Sequence, residues 1–343
     1  MTTSAKKKGA KTGFLQMITD ANNQQGDEGE MAPKRKRKPG YVDHELLRER
    51  AKDHIRRREW DAAIRTLREH RPTLTMAYLP HLDYDHQRFG PDDPRSVAQV
   101  ARVDAEVGKL VDEAERQGAR VMILSEYGIE AVDRPVFLNR TLHEQGFLRV
   151  QETSHGQLLD AGACRAFAVA DHQCAHVYVA KPEDLGAVRA CLEKLDGVDR
   201  VLDREQQREL GIDHDRAGEL VCISAPGTWF AYHYWLDEAR RPDFATTVDI
   251  HRKPGYDPTE LFVDPKIRFP KLKVARTLAK KMLGFRYLMD VIGTDPSLVR
   301  GTHGRLYDDD DAGPVFLCSD RSRARDFVAA TDVKQLCLEL LGS

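Results

Sequence analysis

Apolar residues recur along the chain in patterns that predict both helices and buried strands. Valines and leucines spaced by three and four residues predict an amphipathic helix over 97–114, with Gly118 just past its end. Short apolar runs predict strands at 74–79 and 121–124, and the polar, aromatic stretch 80–94 is predicted to be a loop. This order predicts a βαβ unit whose two strand-end loops open at the same sheet edge, where ligand sites are common.

The middle of the chain is richer in predicted strands. They fall at 166–170, 176–179, 220–224 and 229–235, and the aromatic residues of the last are interpreted as core packing. Further helices are predicted just before Pro72 and over 183–195 and 334–341. The pattern as a whole predicts an α/β fold, with a mixed sheet flanked by helices and a smaller β-rich insertion after about residue 150.

Composition divides the chain into a polar start and a folded remainder. Residues 1–58 contain the basic runs 6–8 and 34–38 and lack apolar periodicity, so they are predicted to be a disordered basic tail. Residues 59–343 are predicted to form the folded domain.

The net charge is −2, no stretch of 18 apolar residues occurs, and the start has no apolar signal region. Six cysteines without a CxxC pair fit small buried hydrophobes in a reducing compartment. A cytoplasmic protein without a membrane partner is expected.

Several segments are rich in residues that bind metals or phosphate. Phosphoester hydrolysis commonly uses two divalent metals about 4 Å apart, held by carboxylates and imidazoles from different loops. The segments that supply such residues are 78–91, 125–128, 170–176, 249–258 and 301–305. Judged by sequence spacing alone, each of these histidines is better interpreted as a hydrogen-bonded structural residue than as a metal ligand.

The run 78–91, YLPHLDYDHQRFGP, resembles a segment of the type I phosphodiesterase and nucleotide pyrophosphatase family, a branch of the alkaline phosphatase superfamily. The family segment presents a metal-binding aspartate and, four residues later, a histidine. Asp83 matches the aspartate. Gln87 occupies the histidine position, and His86 is its neighbour.

Two later motifs extend the resemblance from about residue 60 to the end of the chain. SEYGI, at 125–129, resembles the family element SDHGM, with Glu126 and Tyr127 in place of its Asp-His pair. GTHGR, at 301–305, resembles the late HG element, and His303 matches the last metal-binding histidine. The resemblance implies an alkaline phosphatase-like core, which is expected to be incomplete in this chain.

The resemblance also implies a site and its cofactor. Asp83, Glu126 and His303 are expected to bind metal, with two zinc ions the first expectation and manganese or magnesium the alternatives. Residues expected to line the site are Gln87, Tyr127, His86, His172 and His251. Lys253 and Tyr256 are expected to bind the substrate, a small phosphate ester or a nucleotide-like molecule.

The family's nucleophilic Thr or Ser lies in a portion that precedes the Asp83 segment, and residues 1–59 contain no match to it. The catalytic nucleophile is therefore unassigned, and the chain is expected to be truncated, to start elsewhere, or to work with a separate N-terminal half.

The expected function is metal-dependent hydrolysis of phosphodiester or phosphoanhydride bonds. The first alternative is a catalytically inactive binding protein. The second is nucleic-acid association through the basic tail, which is the least favoured because no base-reading motif accompanies it.

Overall fold

A computed structural model describes residues 60–249, 251–307, 313–323 and 325–342, so the basic tail predicted over 1–58 lies outside the described residues. The described α-helices are α1 Trp60–His70, α2 His81–Phe89, α3 Pro94–Arg116, α4 Leu138–Glu144, α5 Leu185–Leu192, α6 Arg204–Glu209, α7 Pro270–Met282 and α8 Val333–Leu341. No helix in these ranges is long and apolar enough to cross a membrane.

Short strands alternate with the helices. They are β1 Met122–Leu124, β2 Glu130–Ala131, β3 Arg134–Val136, β4 Val150–Thr153, β5 Gly156–Leu159, β6 Ala166–Asp171, β7 Cys174–Val179, β8 Val198–Leu202, β9 Leu220–Ser224, β10 Thr228–Phe230, β11 Gly301–Thr302 and β12 Phe316–Cys318. Four of them form an antiparallel sheet in the order β6-β7-β9-β8. The others pair two by two, and β3 with β10 is a parallel pair. The predicted mixed α/β class is confirmed, and its strands pair in several small sheets.

The chain divides into two compact units. Among the described residues, the first comprises Asp83–Val97 and Tyr127–Gly313, and its core includes Trp235, Phe230 and the inner faces of β6, β7 and β9. The second comprises the described part of Gly13–Leu82 together with Ala98–Glu126 and Pro314–Ser343. In the second unit, Leu79 and Leu82 pack against valines of α3.

Several predicted elements are confirmed. The long helix is α3, Gly118 follows it with a φ of 69°, and β6, β7, β9, α5 and α8 fall where the apolar pattern predicted them. The predicted strand 229–235 is shorter, because only Thr228–Phe230 pairs while the chain through Trp235 is buried without joining a ladder. Trp229, Tyr232 and Trp235 are fully buried, as their interpretation as core residues requires.

The predicted βαβ unit is wrong. Within the described residues, 74–79 contains only a bridge position at Tyr78, and β1 pairs antiparallel with β12. The predicted loop 80–94 instead contains helix α2. This helix has the acidic Asp83 in its first turn and the basic residues His86 and Arg88 in its last turn. Such a distribution interacts favourably with the helix dipole. It ends at Gly90, whose φ is 84° and which precedes Pro91, a typical helix stop.

Candidate functional site

Helix α2 positions the carboxylate predicted to bind metal. Asp83 and Gln87 lie one turn apart, so their side chains share a face of the helix. Gln87 Nε2 donates to Asp83 Oδ1 at 2.8 Å, and the Tyr127 hydroxyl donates to the same oxygen at 3.3 Å. Gln87 is thus joined to the carboxylate directly, through the i and i+4 relation that a helix provides.

Aromatic rings connect this carboxylate to two histidines. The Tyr127 ring stacks on the His303 ring, with centroids 3.6 Å apart and planes 11° apart. The His172 ring lies 3.9 Å from that of His303 and 4.9 Å from that of Tyr256. We call Asp83, Gln87, Tyr127, His172, Tyr256 and His303 the Asp83 cluster. All six belong to the first compact unit, and all six are residues that the sequence predicted for the site.

His172 occupies a strained turn between β6 and β7. Asp171 pairs with Cys174, so His172 and Gln173 form a two-residue turn, and His172 has a φ of 56°. A non-glycine residue with positive φ is uncommon and persists where its surroundings fix it. Here the His172 carbonyl accepts the Phe230 N–H at 2.7 Å, and the Gln173 N–H donates to the His303 carbonyl at 2.9 Å. The turn therefore fixes both histidine backbones.

Two residues that hold the histidines were missed by sequence reasoning. Thr302 is fully buried, and its hydroxyl lies 2.9 Å from His172 Nδ1, where it fixes the ring orientation. Gln173 Nε2 donates to Glu130 Oε2 at 2.9 Å, which anchors the turn from the other side. Both residues adjoin predicted histidines in the chain, and that adjacency is the signal that would have found them.

Burial shifts the pKa of each of three ionisable groups of the cluster towards the neutral form. It lowers the pKa of His303 to about 4, and burial together with the neighbouring His303 lowers the pKa of His172 well below its usual range. Burial also raises the pKa of Asp83, although hydrogen bonds from Gln87 and Tyr127 oppose the rise. Neutral imidazoles have a ring nitrogen free of a proton, which can accept a hydrogen bond or bind a metal.

Tyr256 reaches the cluster from a loop that docks on β6. Gly255 forms a parallel bridge with Ala170, and the Tyr256 N–H donates to the Ala170 carbonyl at 2.9 Å. A side chain at Gly255 would lie 1.9 Å from that carbonyl oxygen, and its φ is 120°, so the contact requires glycine.

Lys253 lies in the interior beneath the same loop. Its side chain is fully buried, and its ammonium lies 2.7 Å from both Asp257 Oδ2 and Glu260 Oε1. Two buried carboxylates thus surround the ammonium that the sequence predicted to bind substrate. In this arrangement, Lys253 ties together the ends of the segment that carries Tyr256.

The remaining predicted residues occupy other surroundings. His251 is exposed in a turn. His86 is fully buried on α2, close enough that its charge favours ionisation of Asp83. Glu126 belongs to the second compact unit, where its side chain is exposed.

The family resemblance implies a divalent metal at this site. Among the described residues, no group of three or more His, Cys, Asp or Glu side chains is arranged to hold a metal ion. Gln87 Oε1 is nevertheless buried and has no hydrogen-bond partner in the described part of the chain. Amide oxygens, carboxylates and neutral imidazoles are all groups that can bind divalent cations, so the residue types of the cluster suit such a metal.

The sequence profile of the type I phosphodiesterase / nucleotide pyrophosphatase family matches residues 3–257. The chain belongs to this family. The matched range contains every member of the Asp83 cluster except His303. It also contains most of the segment predicted to be a basic tail.

Individual relatives match more weakly. An uncharacterized pyrophosphatase/phosphodiesterase of Schizosaccharomyces pombe is 26% identical over 99 residues, which are 28% of this chain and 20% of that protein. Phosphonoacetate hydrolase from Sinorhizobium meliloti, in complex with phosphonoformate, is 21% identical with a TM-score of 0.38, over 53% of this chain and 43% of that one.

Inactive murine ectonucleotide pyrophosphatase / phosphodiesterase 5, in complex with AMP, is 14% identical with a TM-score of 0.39, over 76% of this chain and 51% of that one. The chain therefore spans between a fifth and about half of the length of these proteins.

The buried histidines predict an acid-sensitive fold. Burial lowers the pKa of His303 and of His233 to about 4, so between that pH and about 6.5 the unfolded chain binds protons that the folded chain does not. The free energy of unfolding is therefore expected to fall as the pH drops from 7 to 5, with His303 alone contributing about 1–2 kcal/mol. The raised pKa of Asp83 acts in the opposite direction, so substitution is needed to isolate the histidine.

Urea unfolding at both pH values checks this expectation. His303→Asn should reduce the difference between them, while His251→Asn, at an exposed position, should leave it unchanged. An undiminished difference in His303→Asn would contradict the assignment.

Proposed function

We propose that the chain hydrolyses phosphodiester or phosphoanhydride bonds of a small, nucleotide-like molecule at the Asp83 cluster. Family membership supports the reaction class. The observation that carries the proposal is the convergence of Asp83, Tyr127, His172 and His303, which come from separate segments of one compact unit. The N–H groups of the neutral imidazoles can donate hydrogen bonds to phosphate oxygens.

We propose further that the activity depends on a divalent metal held by Asp83, Gln87 and His303. When bound, the metal would neutralise phosphate charge and polarise the scissile bond. The two oxygen donors favour manganese or magnesium over the zinc expected from the family resemblance, because carboxylate and amide oxygens suit the harder cations. Tyr127 would orient Asp83, and Thr302 would orient His172.

A catalytically inactive binding protein is the second candidate. The observation that favours it is the lack, among the described residues, of any group of three conventional metal-binding side chains. Such a protein would bind a phosphate ester at the same cluster without turning it over. We also propose a cytoplasmic location, in keeping with the six free thiols of the described residues.

Hydrolysis of bis-p-nitrophenyl phosphate by the full chain tests the proposal, with manganese, magnesium or zinc added in turn. His303→Ala should lower the rate by at least about 10- to 100-fold, the range that loss of a group supporting a metal site costs. The control His251→Ala changes an exposed histidine and should keep the wild-type rate. Equal rates in all three proteins would contradict the proposed site. If the folded wild-type protein showed no turnover with any of these metals, the second candidate, a catalytically inactive binding protein, would be favoured.

A further inference from the structure

Helix α7 is strongly basic and lies largely at the surface of the first compact unit. Its 13 residues include five lysines and arginines and no acidic residue. Thr277 is its only buried residue. Lys273 pairs with Asp290 at 2.9 Å and, with Thr277, marks the side that faces the protein. Most of the helix circumference is therefore exposed to solvent.

The exposed side of α7 is apolar. Leu272, Met282 and Leu283 are 68%, 87% and 73% exposed, and Ala275 and Ala279 lie between them at the three- and four-residue spacing of one helix face. Phe269 before the helix and Phe285 after it are also mostly exposed. Large side chains concentrated on one exposed helix face are unusual in a soluble protein and mark a binding surface.

Basic side chains border this apolar face. Lys271 lies at one edge, and Arg276 and Lys280 lie at the other, all exposed. An amphipathic helix with an apolar face and lysine- and arginine-rich flanks is suited to lie in the headgroup region of an anionic bilayer. A second copy of the chain fits less well, because pairing two such faces would bring two sets of positive charges together.

We propose that α7, together with Phe269 and Phe285, docks on the surface of an anionic phospholipid membrane. The helix would lie along the interface rather than cross it, since no described helix is long and apolar enough to span a bilayer. This interaction goes beyond the proposed hydrolase function, and its test uses binding alone.

The test is cosedimentation of the full chain with vesicles of phosphatidylserine and phosphatidylcholine, compared with pure phosphatidylcholine vesicles. The double variant Leu272→Asp/Leu283→Asp should weaken binding to the anionic vesicles by about 100-fold or more, because each leucine buried in the interface contributes about tenfold or more. Lys271→Glu/Arg276→Glu should weaken binding by roughly fivefold or more per residue. These side chains are exposed, so circular dichroism should show unchanged folding.

The matched control is Leu236→Asp/Val263→Asp, which places the same charges at exposed apolar positions elsewhere in the same unit and should keep wild-type binding. Wild-type binding in the α7 variants would overturn the proposal and assign any vesicle binding to another segment, such as the basic runs of residues 1–58. Lack of vesicle binding by the wild-type chain would overturn it as well. So would a wild-type oligomer that Leu272→Asp/Leu283→Asp converts to monomer, since the face would then be a self-association surface.

Discussion

Replacing Lys253 with methionine is expected to lower the free energy of unfolding by about 3–5 kcal/mol. The substitution leaves Asp257 and Glu260 buried without the ammonium that lies 2.7 Å from each. Methionine is unbranched and close to lysine in volume, so the loss would mainly reflect charge rather than volume. Urea unfolding monitored by tryptophan fluorescence measures the effect.

The control is Lys181→Met, which removes an exposed lysine whose nearest carboxylate, that of Glu183, lies 4.0 Å away. It should change stability by less than about 0.5 kcal/mol. If Lys253→Met and Lys181→Met had similar small effects, the buried ion cluster would not be stabilising the loop that carries Tyr256.

Replacing Gly301 with alanine is expected to have the second large effect. Its new methyl group would lie 2.2 Å from the His86 carbonyl oxygen and 3.0 Å from Ile129 Cγ2. A backbone carbonyl cannot move without shifting α2 away from β11, and therefore Asp83 away from His303. Destabilisation near the upper end of the roughly 1–3 kcal/mol typical of overpacking is expected, together with weaker phosphate-ester binding.

Gly186→Ala is the matched control for Gly301→Ala. Gly186 lies in helix α5, and a methyl group there would have nothing within 4 Å. The substitution should be neutral or slightly stabilising, because alanine is the better helix former. A tolerated Gly301→Ala, with unchanged thermal unfolding, would contradict the close packing of α2 on β11.

Local patterns predicted the fold best where one face of an element is buried. The three- and four-residue spacing identified α3, and short apolar runs identified β6 and β9, because burial in these elements follows the local period. Helix α2 was missed since its sequence is polar and aromatic. Its stop signal, Gly90 followed by Pro91, was present in the sequence.

Motif matching brought together residues that no local pattern connects. Asp83, Tyr127 and His303 are far apart in the chain, yet the Tyr127 side chain contacts both of the others. The role of Lys253 was less predictable, because a lysine in a turn-rich segment gives no sign of the two carboxylates that surround it. Thr302 and Gln173 were missed because their contribution depends on the three-dimensional position of the β6–β7 turn.

Binding of phenylphosphonate tests the Asp83 cluster most directly, since it does not depend on turnover. The histidine side chains are followed by NMR during the titration, with magnesium as the added metal and no manganese present. The signals of His172 and His303 are expected to shift together on titration, while that of the exposed His251 does not shift. These shifts should disappear in Asp83→Asn, because the carboxylate organises the site through its contact with Tyr127 and through the proposed metal. Saturable binding that leaves the signals of His172 and His303 unchanged would place the phosphate site elsewhere in the chain and rule out the Asp83 cluster.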